Sequence, residues 1–167
     1  MLRIALKRVP MTAEQGIQTL KERGILTNRY AETYILHPCF SAGGSGEMTA
    51  VIVSLEKLGL ERGASLDELF RHIEGTQFAP CPPDTGFFLR LAWTEQPQSQ
   101  NSILSGTHSL PDQAVTVLSE ILEKDDAFPK GLYLRKVDGK LWLRGYVCDS
   151  AYRFPNDALF ALELRRT

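Results

Sequence analysis

The chain has almost no net charge: 19 Lys and Arg stand against 20 Asp and Glu, a formal balance of -1. That balance leaves no global field to draw the protein to nucleic acid or to an anionic membrane, so such affinity needs a local patch. Cysteine is scarce too. Cys39, Cys81 and Cys148 cannot all pair within one chain, and none stands in a CxxC spacing. This argues against a zinc site or a redox pair and for a reducing, cytoplasmic setting. No apolar run approaches a membrane span, and the opening MLRIALKRVP is too short in apolar residues for a signal peptide. Its Leu2, Ile4 and Leu6 alternate with Arg3, Ala5 and Lys7, which reads as a first strand. There is no internal repeat, no Walker lysine, and no set of His, Cys, Asp and Glu at metal-ligand spacing, so no cofactor or metal is expected.

What is present suffices for a core. With 43% hydrophobic and 23% charged residues over 167 positions, the chain falls in the range of one globular domain spanning 1–167. A helical segment over 1–42, either packed on the body or standing as a small lobe, precedes an α+β body over 47–167.

Helix signals dominate the first half. Thr12-x-x-Gln15 has capping-box spacing, and Gly24 supplies a left-handed exit. A second helix is predicted from Arg29 to Leu36, stopped by Pro38. After the glycine-rich joint SAGGSGE, the residues Met48, Val51, Ile52, Leu55 and Leu58 recur at helical spacing and predict a helix over 47–58, with Gly59 as its stop. Ser65-x-x-Glu68 opens another helix, which Gly75 closes. Beyond it lie GFFLRLAW, SILSGTHSL, GLYLRKV, KLWLRGYVC and ALFALEL, short segments of strand character, interrupted by a helix predicted from Pro111 to Lys124. The sum is an α+β domain: a mostly antiparallel C-terminal meander covered on one face by helices from the N-terminal half.

The sharpest local signal is Asp138-Gly139, the favoured pair for a type I′ hairpin turn, because both central residues must take positive φ. The register then sets Tyr133 across from Arg144, Arg135 across from Trp142 and Leu134 across from Leu143. Leu132, Leu134, Leu141, Leu143 and Val147 fall on the side expected to meet the helices. Tyr133, Arg135, Trp142, Arg144 and Tyr146 fall on the other. Rings beside guanidinium groups suit recognition of a partner, although the same pairs also stabilise a solvent-facing sheet with no ligand at all.

Other signals are weaker. Gly43, Gly44 and Gly46 before a predicted helix suggest a phosphate cradle, but Glu47 occupies the place an anion would take. The helix, glycine turn and helix of AEQGIQTLKERGILTNRYAETYI outline a helix-turn-helix whose Lys21, Arg23 and Arg29 are offset by Glu14, Glu22 and Glu32, so a helical hairpin feeding the core is the better account. The three cysteines, with His37, His72 and His108, are the material for a thiol nucleophile, though each suits a structural place equally well. The favoured expectation is a non-catalytic, cytoplasmic interaction module that engages a protein partner, or a second copy of itself, through Tyr133, Arg135, Trp142, Arg144 and Tyr146. A nucleic-acid platform on the same face and a small cysteine enzyme are the alternatives.

Overall fold

A computed structural model describes residues 1–41, 44–100 and 112–167. Strand β1 (Leu2–Arg8) is followed by helix α1 (Ala13–Glu22), strand β2 (Leu26–Thr27), helix α2 (Arg29–Ile35) and strand β3 (Gly46–Ser54). Then come α3 (Leu66–Ile73), β4 (Phe78–Ala79), α4 (Thr85–Ala92), β5 (Val115–Val117), β6 (Gly131–Val137), β7 (Lys140–Tyr146) and β8 (Leu159–Leu164). The strands make one sheet in the order β1-β3-β8-β5-β6-β7-β2, and β4 joins β8 outside that path.

The fold is α+β and the sheet mostly antiparallel, as expected, though not purely so: β5 runs parallel to β8, and β2 parallel to β7. The local signals hold where they are local. Thr12 and Ser65 each complete a capping box, with Gln15 and Glu68 as the reciprocal partners, and Gly24 and Gly75 carry positive φ. Asp138 and Gly139 both take positive φ, and the β6–β7 register matches the predicted one at every pair.

Three elements differ from expectation, each because it is buried too completely for its periodicity to identify it. Residues 47–58 form no helix; β3 ends at Ser54 and a turn follows. Ala50 and Ile52 enter one core while Val51 and Val53 enter another, so apolar residues fill consecutive positions and imitate helical spacing. GFFLRLA is a helix, α4, whose residues from Thr85 to Arg90 are all buried. The described part of the predicted 111–124 helix holds the short strand β5 instead, with Val115 and Val117 facing one core and Leu118 the other. SILSGTHSL lies outside the described residues.

Helices cover both faces, not one. Leu20, Ala31, Ile35 and Phe87 from α1, α2 and α4 share a core with Leu132, Leu134 and Leu143. Leu69 and Ile73 of α3 pack with Val51, Val53, Phe160 and Leu162 on the reverse side. Of the 1–42 segment, the described residues 1–41 therefore pack on the body. Its seat is Gly145, where an added Cβ would lie 2.5 Å from the Tyr30 carbonyl carbon, so only glycine lets α2 approach β7 this closely.

Candidate functional site

The hairpin brings Tyr133, Arg135, Trp142, Arg144 and Tyr146 to one face, the one opposite Leu132, Leu134 and Leu143. Arg144 is the hub. Its Nε donates to the Tyr133 hydroxyl at 2.8 Å, directly across the strand pair, and its guanidinium carbon stands 5.1 Å from the Trp142 ring centroid. A hydrogen bond to one ring and a cation–π contact to the next tie the guanidinium to both rings. Tyr133, Trp142 and Arg144 are each partly exposed.

The two ends of the face run into other elements. Tyr146 stacks edge-on against Phe154 at 6.3 Å, and Phe154 in turn meets Tyr152 and Phe160, so the Tyr146 ring leads into the α3-side core. Burial raises the Tyr146 phenol well above its ordinary value and keeps it neutral. At the other end Arg135 is buried rather than displayed: its Nε donates to Ser99 Oγ at 2.8 Å, and the Ser99 N–H bonds the Lys136 carbonyl. Burial lowers the Arg135 guanidinium's proton affinity. Val147, expected inward, is exposed beyond the end of β7. Of the five predicted residues, Trp142, Arg144 and Tyr133 form the centre, Tyr146 is partly buried against the α3-side core, and Arg135 alone is buried.

A residue not foreseen for this role braces the face from beneath. Arg90, fully buried on α4, donates through Nη1 to the carbonyls of Arg135 and Trp142, each at 3.3 Å, and to Gln96 Oε1 at 2.6 Å. Its Nη2 bonds the Trp93 carbonyl. One guanidinium thus grips both hairpin strands at the pair that carries Trp142. Burial brings its pKa down to about 10, which leaves it charged at neutral pH. The signal in the sequence was a lone arginine within an apolar run, which strand periodicity does not single out.

Among the described residues the thiols do not assemble a nucleophile. Cys81 is buried with Sγ near the Ala161 carbonyl, and burial raises its thiol far above the ordinary value. Burial also raises Cys148. Cys39 is exposed, but it is its backbone N–H, not its thiol, that meets His37 Nδ1, while Nε2 faces Glu123 Oε1 at 2.8 Å. Among the described residues no thiol is hydrogen-bonded to an imidazole, and no three His, Cys, Asp or Glu side chains converge as a metal site would require. The glycine joint leads into strand β3 rather than a helix, so the helix terminus a phosphate cradle needs is not there. No helix among the described residues is long and apolar enough to cross a membrane. Comparison with protein-family models, curated proteins and solved structures finds no match.

Proposed function

We propose that the protein is a binding module that engages a protein partner through the outer face of the β6–β7 hairpin. Trp142 and Tyr133 supply area to be buried, and Arg144 supplies direction. The observation that carries this reading is the fixed geometry of Arg144, bonded to Tyr133 and lying over Trp142 on a stretch of sheet that the helices leave partly open. Aromatic and arginine side chains held rigidly beside one another are the groups that dominate binding energy at protein interfaces. The near-zero net charge favours a protein over a nucleic acid, because phosphate attraction would rest on Arg144 with little support from the rest of the chain.

The test is photocrosslinking from position 142. A benzophenone amino acid placed there should give a discrete protein adduct in an extract of the source cells, and the same group at exposed Glu56 should not. Adducts that vanish on nuclease treatment, or equal yields from both positions, would defeat the reading.

A further inference from the structure

β1 is a terminal strand of the sheet. It pairs with β3 over its whole length of seven residues on one side, and among the described residues no strand pairs with the other. Backbone N–H and C=O groups on such an edge are a ready template for another strand. Proteins commonly blunt an edge by brevity, proline, a bulge or charged side chains; β1 has no proline and its register runs unbroken from Leu2 to Arg8, so its one such device is the charge of Arg3 and Lys7, which repels like-charged strands and not acidic ones. Apolar surface lies beside that charge. Arg3, Ala5 and Lys7 form one exposed row, while Leu2, 46% exposed, begins the other. Met1 and Val9 extend the apolar exposure past both ends at 62% and 46%. Beside the charged row runs a groove of about 480 Å³, bordered by Ala5, Lys7, Thr49, Leu164 and Arg166 and by one acidic residue, Glu47, the β3 neighbour of Lys7.

The geometry points to an extended acidic segment of a partner protein, added to β1 as a further strand. Acidic residues at alternate positions lie beside Arg3 and Lys7, and the intervening apolar residues lie beside Leu2 and Ile4. Strand addition takes affinity from main-chain hydrogen bonds and specificity from alternate side chains, and β1 sorts its own side chains by the same period. Charge decides against a second copy of this chain. Two β1 strands paired antiparallel about Ala5 would set Arg3 opposite Lys7 twice, and like charges directly opposed are destabilising. This surface is separate from the hairpin face, since β1 and β7 lie toward opposite ends of the strand order.

The test uses a fluorescein-labelled peptide of about ten residues, alternating Glu and Val, followed by anisotropy. Saturable binding to the wild type is expected, weakening at least about ten-fold when salt is raised from about 50 to about 500 mM. A comparable loss is expected for Arg3→Glu/Lys7→Glu, and for a peptide N-methylated at alternate residues. Trp142→Ala should bind unchanged, so the outcome is independent of the hairpin reading. Circular dichroism checks that the charge-reversed variant is folded. The inference is overturned if the wild type does not bind, if the N-methylated peptide binds as well, or if a folded Arg3→Glu/Lys7→Glu binds equally. Self-association of the wild type that excludes the peptide would overturn it in favour of a second copy.

Discussion

Asn28 and Gly145 are 117 residues apart and bonded twice: Asn28 Oδ1 accepts the Gly145 N–H at 2.8 Å, and its Nδ2 donates to the Gly145 carbonyl at 3.0 Å. The same Oδ1 accepts the Ala31 N–H and so caps α2. One side-chain amide therefore starts a helix and stands in for a strand residue beside β7. Asn28→Asp keeps the cap but loses the donor, whereas Asn28→Ala loses both. Urea denaturation should show Asn28→Ala about 2–3 kcal/mol less stable than wild type and Asn28→Asp intermediate.

Gly145→Ala should cost more, above about 3 kcal/mol, because its Cβ would overlap the backbone of Tyr30 and Ala31, which no rotamer change relieves. A near-neutral effect in the same assay would mean that α2 does not sit against β7 as described.

The buried pair of Arg8 Nε and Asp84 Oδ1, 2.7 Å apart, ties β1 to the start of α4. Removing one partner, as in Arg8→Met, leaves the other charge buried and should cost about 3–5 kcal/mol, while Arg8→Met/Asp84→Leu should recover most of that loss. Burial holds the Asp84 carboxyl above its ordinary value, against the smaller opposing pull of Arg8. Its contribution is therefore full below the ordinary carboxylate range and declines as pH rises through the raised value. The stability advantage of wild type over Asp84→Asn should accordingly shrink as pH is raised from acid toward neutral, and an advantage that grew would reverse the sign.

Thiol labelling should be ordered by burial. Cys39 is exposed, Cys148 is partly buried with a raised thiol, and Cys81 is enclosed. Ellman's reagent at neutral pH should modify Cys39 first, Cys148 slowly and Cys81 only on unfolding. Rapid reaction at Cys148 or Cys81 would favour the enzyme alternative.

How far these features were legible follows from how local their causes are. Asp138-Gly139 sets the hairpin register with two residues, and the boxes at Thr12 and Ser65 need four each, so the sequence carried them whole. β3, α4 and β5 are buried on more than one side, and a period is visible only when one side faces water. The face of the hairpin was readable by parity, but its borders were not. Arg135 is enclosed by Ser99 from a distant segment, and Arg90 reaches the strands from α4, contacts that no local spacing encodes.

Arg90 also offers a way to loosen the face without touching it. Arg90→Lys cannot span the carbonyls of Trp93, Arg135 and Trp142 together, and should destabilise the fold by about 2 kcal/mol or more. In a Trp93→Phe background, the Trp142 emission should then shift to the red, whereas an unchanged spectrum would separate Arg90 from the face.

The most direct measurement pairs melting temperature with partner crosslinking, from a benzophenone at position 133, in Trp142→Ala/Arg144→Ala. A surface kept for binding predicts a melting point within about 5 °C of wild type and loss of the adduct. A fall of more than about 10 °C, or an undiminished adduct, would show that these side chains serve the sheet and not a partner.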